Sequence, residues 1–110
     1  MQSQRIALVI ACLIPALQVR AEEYVVDQIN KSFVMTGKPI TALKLKKGDT
    51  VSFKNGDPFF HNIFSLSELQ TFDLGSYPAG EARAVKFEAA GTVDVECAIH
   101  PDMHMTVEVE

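Results

Sequence analysis

The sequence predicts an all-β sandwich or barrel with Greek-key connections, and three observations carry that prediction. Apolar and polar residues alternate with a period of two through most of the chain, the pattern of strands with one buried and one wet face. Clusters of turn-forming residues separate these runs at roughly 8 to 12 residue spacing. The 110 residues suffice for one domain and leave no room for a second.

In chain order, residues 1–21 read as a secretory signal peptide. Arg5 closes a positive n-region, residues 6–17 form an apolar stretch, and Val19-Arg20-Ala21 ends on a small residue, so cleavage is expected after Ala21. The apolar stretch is broken by Pro15 and falls short of the roughly 20 residues that span a bilayer. The remaining residues 22–110 are expected to form one domain. Ten basic residues less Arg5 and Arg20 leave eight against fourteen acidic ones, so the formal charge moves from -4 for the whole chain to -6. That balance argues against nucleic acid, whose phosphates need a basic surface.

Strands follow from the alternation. Leu43 and Leu45 alternate with Lys44 and Lys46, and Val51 and Phe53 with Ser52 and Lys54. Val85 and Phe87 alternate with Lys86 and Glu88, Val93, Val95 and Cys97 with Asp94 and Glu96, and Val107 and Val109 with Glu108 and Glu110. His61-Asn62-Ile63-Phe64 opens a further strand after the turn Asn55-Gly56-Asp57-Pro58. Ser65-Leu66-Ser67-Glu68 has the form of a capping box and predicts one helical turn before Phe72. Residues 66–80 are the least strand-like and are expected to cross from one sheet to the other.

Cysteine usage points to chemistry. Of the two cysteines, Cys12 leaves with the signal segment, and Cys97 remains alone. A single thiol in an oxidising compartment has no intramolecular disulfide partner, so it is buried, bound to something, or paired with another chain. It stands in Cys97-Ala98-Ile99-His100-Pro101-Asp102-Met103-His104-Met105, between two alternating strands. A thiolate, an imidazole and a thioether on one chain reversal suit copper, and the electron-transfer copper arrangement adds a second histidine. His61 is the candidate. Taken singly, Cys97 and the methionines are ordinary core fillers, and His61 is an ordinary turn histidine.

The pair formed by His61-Asn62-Ile63-Phe64-Ser65 and Cys97-x-x-His100-Pro101-x-Met103 resembles the cupredoxin, or blue-copper, family. The short ligand loop is most similar to that of amicyanin and the plastocyanin-like proteins associated with methylamine utilisation. The likeness runs from Tyr24 to Val109, with both motifs in the family's order. It implies a cupredoxin-type Greek-key β-sandwich of about seven to eight strands, in which His61, Cys97 and His100 are equatorial ligands of one copper ion cycling between Cu(I) and Cu(II). Asn62 is expected to donate its backbone N–H to the Cys97 sulfur and to tie the two ligand loops through its side chain. The axial ligand is open between Met103, at amicyanin-like spacing from His100, and Met105, at plastocyanin-like spacing. The inward parity of Val107 and Val109 puts Met105 in the core and favours Met103. His104 has no family counterpart as a ligand and falls on the solvent side.

The resemblance implies a monomeric, periplasmic or otherwise secreted one-electron carrier, not an enzyme and not inserted in a membrane. Phe59, Phe60, Pro58 and Pro101 would form an apolar rim around an exposed edge of His100. The acidic charge favours a redox partner with a basic docking patch, such as a cytochrome c or a dehydrogenase. The alternative is a copper protein for storage or delivery, which the second methionine and His104 support.

Overall fold

A strand whose odd residues are apolar must turn that face onto another layer, and five such strands in this chain demand a second sheet. The computed structural model describes residues 20–110; the expected signal segment, but for Arg20 and Ala21, lies outside the described residues. Ten strands form: β1 (Glu23–Ile29), β2 (Ser32–Met35), β3 (Lys38–Pro39), β4 (Ala42–Leu45), β5 (Thr50–Asn55), β6 (His61–Ser65), β7 (Phe72–Tyr77), β8 (Ala82–Lys86), β9 (Gly91–Glu96) and β10 (His104–Val109). They make two five-stranded sheets, ordered β3-β2-β1-β5-β8 and β4-β10-β9-β6-β7. Two pairings, β1 with β5 and β4 with β10, are parallel. The architecture is the expected all-β sandwich, with more strands than the seven to eight expected. No helix of the described residues is long and apolar enough to cross a membrane.

The predicted inward residues make the core. Val51, Phe53, Val85, Phe87, Val93, Val95, Val107 and Val109 are all buried, and Val26, Phe33, Ile63 and Tyr77 join them. Truncating one of the fully enclosed aromatics to alanine costs about 3–5 kcal/mol, transfer and cavity together.

Two expectations for residues 65–80 are corrected. No helix follows Ser65; the chain makes one isolated turn, with Gln70 N–H donating to the Ser67 carbonyl at 3.2 Å. The Ser65 hydroxyl accepts from the Ser67 N–H at 3.1 Å, and the Ser67 hydroxyl accepts from Asp94 N–H of β9 at 2.8 Å. Both hydroxyls of the would-be capping box therefore fasten a loop. Residues 72–77 do not cross between sheets; they form β7, antiparallel to β6. The pairing passes from Asn62↔Ser76 to Phe64↔Asp73, so β7 carries one extra residue. Gly75, with φ 74°, sits in that bulge. The inserted residue reverses the phase of alternation, which is why Phe72 and Leu74 do not match the fully buried Tyr77 by parity. The crossing to the other sheet is the four-residue link between Tyr77 and Ala82.

Both ends of the β1–β5 pair are closed by an aspartate. Before β5, the Asp49 carboxylate accepts from the Glu22 N–H at 2.9 Å and the Lys46 N–H at 2.9 Å. Gly48 supplies the positive φ of 95° that the turn from Lys46 to Asp49 requires. After β5, Asp57 holds the β1–β2 turn. Ile29 pairs with Ser32, leaving a two-residue loop in which Asn30 and Lys31 both have positive φ, 53° and 58°. This is the geometry of a type I′ hairpin. Asparagine accepts it readily; for lysine it is strained by the order of 1 kcal/mol or more, and surrounding contacts must hold it.

Candidate metal centre

Sheet topology brings the two motifs together. His61 opens β6 and Cys97 follows β9, neighbouring strands of one sheet. The register pair Phe64↔Glu96 fixes their relative height. Between Cys97 and β10 the chain reverses in a tight loop: Met103 N–H donates to the His100 carbonyl at 2.9 Å, and Cys97 N–H to the Met103 carbonyl at 3.3 Å. That loop folds His100 back over Cys97.

Three donor atoms converge. Cys97 Sγ lies 3.7 Å from His61 Nδ1 and 3.7 Å from His100 Nδ1, and the two nitrogens are 3.1 Å apart. The point equidistant from the three atoms lies about 2.0 Å from each, close to the ~2.0–2.1 Å of a metal–imidazole bond and slightly short of the ~2.3 Å of a metal–thiolate bond. Two imidazoles and a thiolate around one point are also the right chemistry for copper. The residues therefore fit a single ion of this class.

The surroundings treat the two histidines differently. His61 is wholly buried, and its Nε2 lies 2.7 Å from Asp57 Oδ2. His100 is half-buried. Burial first, then the nearby His61 and the Lys31 ammonium, hold its imidazole below the usual histidine range. Phe59 packs against both rings, with centroids 5.3 Å from His61 and 5.0 Å from His100. Outside this wall, Phe60 is 54% and Ile99 47% exposed, and Pro58 and Pro101 are exposed as well. An open depression of ≈ 440 Å³ beside them is lined by Asn30, Lys31, Ile99, His100, Pro101 and Asp102.

Of the residues singled out in the sequence, His61, Cys97 and His100 are brought together. Asn62 Oδ1 accepts from Ala98 N–H at 2.8 Å, so its side chain ties the two ligand loops as expected. Met103 and Met105 are both buried; Met105 pairs with Val95 within the strand ladder, whereas Met103 precedes β10. His104 is exposed and lies 3.4 Å from Asp94 Oδ1, away from the cluster. The strand carrying it starts earlier than the expected beginning near Thr106, since His104 already pairs with Glu96.

Solved structures share this fold. Amicyanin from Paracoccus versutus (Thiobacillus versutus) superposes with a TM-score of 0.70 at 27% identity, over 84% of this chain and 85% of that one. A purple cupredoxin from Nitrosopumilus maritimus gives a TM-score of 0.66 at 26% identity, over 79% of this chain and 99% of that one. The chain has the cupredoxin fold. The Cu(I) form of a point mutant of amicyanin is similar as well, with a TM-score of 0.71 at 27% identity over 84% of this chain and 87% of that one. No protein-family model and no curated relative matches the sequence, so the likeness to cupredoxins rests on the fold and on the His-Cys-His cluster.

Sequence reasoning missed Asp57, which it took as part of a turn. Its carboxylate accepts from Asn30 N–H at 2.7 Å and Lys31 N–H at 3.0 Å besides facing His61. Burial pushes this carboxyl up, but the His61 ring and the two amides outweigh it, and the group is held below the usual carboxylate range. An acid four residues before a histidine was the one local signal. The buried pair of Tyr77 and Gln28, whose phenol and amide oxygen are 2.5 Å apart, was also not foreseen.

Proposed function

We propose that this protein is an exported mononuclear type 1 copper protein that carries one electron at a time between larger redox partners. The observation that carries the reading is the triangle of His61 Nδ1, Cys97 Sγ and His100 Nδ1, with sides of 3.1, 3.7 and 3.7 Å, on a fold shared with amicyanin. Copper bound there would supply a one-electron Cu(II)/Cu(I) couple. His61, Cys97 and His100, with Met103 as the fourth donor, would hold the ion, a set that would leave no open position for a substrate and therefore argues against an enzyme.

The chain's own residues do the rest. The β-sandwich and the loop hydrogen bonds fix the donor atoms around one point, so little would need to rearrange when charge changes. Phe59 covers both imidazoles and keeps water from the donors. His100 alone of the three reaches toward the surface, framed by Phe60, Ile99, Pro58 and Pro101. This apolar rim suits brief contact with a cytochrome or dehydrogenase, steered by the excess of acidic residues. Export, with cleavage after Ala21, belongs to the same proposal.

The test is addition of Cu(II) to purified protein with Cys97 reduced. One equivalent is expected to give an intense blue colour that ascorbate bleaches, oxidation restores, and a c-type cytochrome discharges. A folded protein that stays colourless overturns the reading. A protein that binds and exchanges copper but passes no electron supports storage or delivery instead.

A further inference from the structure

A neutral imidazole has one nitrogen that donates and one that accepts, and whichever partner is fixed first decides the other. At His61 the fixed partner is Asp57. We propose that Asp57 is a positioning residue for the metal centre: its carboxylate locks His61 in the Nε2–H tautomer, aims the Nδ1 lone pair at the cluster, and by its negative charge favours the oxidised state of a bound copper. The last part rests on the copper reading above; the first does not.

The geometry leaves His61 little choice. Asp57 Oδ2 stands 2.7 Å from Nε2, and an ionised carboxylate only accepts hydrogen bonds. The opposite tautomer would set a ring lone pair against the carboxylate at that distance, so in the 3.1 Å contact with His100 Nδ1 it is His61 Nδ1 that accepts. The carboxylate is itself immobilised. Its oxygens take the Asn30 and Lys31 amides of the left-handed turn, successive N–H groups of the kind that form an anion-binding nest. Its own N–H donates to Asn55 Oδ1 at 2.9 Å, and Asn55 Nδ2 donates to the carbonyls of Phe59 and Tyr77 at 2.7 and 3.1 Å. Gly56 lets the hairpin come this close, since a Cβ there would stand 2.9 Å from Ile29 Cγ1. With Asp57 only 4% exposed, its charge is poorly screened from the ring it touches. A carboxylate behind a ligating imidazole raises the basicity of that ligand, and a more basic ligand stabilises the more highly charged metal ion. His100 has no carboxylate partner among the described residues.

Two measurements test this. Long-range ¹H–¹⁵N NMR of the metal-free wild-type protein, at a pH where the spectrum shows a neutral His61 ring, is expected to show the proton on Nε2; an Nδ1–H ring overturns the tautomer assignment, whether or not copper binds. The second is the reduction potential of copper-loaded Asp57→Asn against wild type, with Asp49→Asn as a control that removes a like charge at the other end of β5. Asp57→Asn is expected to shift the Cu(II)/Cu(I) ratio at a given potential at least tenfold toward Cu(I), a rise of about 59 mV or more for one electron, while the control moves little. If Asp57→Asn does not fold, Asp57→Ser, which keeps an oxygen and loses the charge, is read the same way. A wild type that never becomes blue sinks the function proposed above and leaves the NMR result to judge the tautomer. A blue wild type whose uncharged Asp57 variant has an equal or lower potential sinks the charge effect and leaves the function standing.

Discussion

Strand β5 begins just after one buried aspartate and ends just before another, and the two are built alike. Asp49 reaches back 27 residues to the Glu22 amide, and Asp57 reaches back 27 residues to the Asn30 amide. The equal spacing follows from the parallel, in-register pairing of β1 with β5. Each carboxylate takes a second backbone amide, from Lys46 and from Lys31. They differ in a single partner: Asp57 also faces an imidazole. A carboxylate that staples chain segments together becomes part of a metal centre when a ligand ring is placed within its reach.

The largest effect expected at the site end comes from Cys97. Cys97→Ser should abolish the blue colour entirely, because the thiolate gives rise to it, while circular dichroism of the metal-free protein remains that of a folded β-sandwich. Next, Asp49→Asn should lower the thermal midpoint of the metal-free protein and leave the visible spectrum of the copper protein unaltered. A spectral change there comparable to that of Asp57→Asn would break the contrast between the two ends.

Acid should act through both aspartates with the same sign. The Glu22 amide first, then that of Lys46, hold the Asp49 carboxyl below its ordinary value. A carboxyl depressed in the folded state gives its full stabilisation above the unfolded value of about 3.9 and loses it as pH falls through the folded value. The thermal midpoint of the metal-free protein should thus be insensitive to these groups from neutral pH to about 5 and fall below about 4. Asp49→Asn should flatten that fall.

Smaller effects sharpen the site end further. Met103→Leu should change the spectrum and potential more than Met105→Leu, each costing under about 1.5 kcal/mol of stability as a near-isosteric exchange; equal changes would undo the axial assignment. Asn62→Ala, which takes the acceptor from Ala98 N–H, should cost about 0.5–1.5 kcal/mol, read by urea unfolding. It should loosen the ligand loops without removing the colour.

The two ends also differ in how much of them was legible in the sequence. Ligand types cluster locally in Cys97-x-x-His100, and strict alternation brackets them in β9 and β10, so the cluster and the core strands are read directly. Strand β7 was hidden by one inserted residue at Gly75 that reverses the parity. The capping-box pattern at Ser65 misled because both hydroxyls had nearer backbone partners. Asp57 was invisible for another reason: its role depends on amides 26 and 27 residues away, and a turn composition such as Asn55-Gly56-Asp57-Pro58 carries no mark of what will dock against it.

The parallel pairing of β1 with β5 also sets an order of events. Asp57 cannot find either of its amides, nor Asp49 that of Glu22, until the chain has closed a loop of about 27 residues, an entropic cost that local turns do not carry. The β9–β10 reversal that presents Cys97 and His100 is short-range and can form early, whereas the orientation of the His61 ring waits for the amino-terminal strand to dock. The metal centre is in that sense finished from a distance. A chain deprived of its first strand and the turn after it would keep all the proposed ligands, and Asp57 too, but lose the amides that hold that carboxylate against the ring.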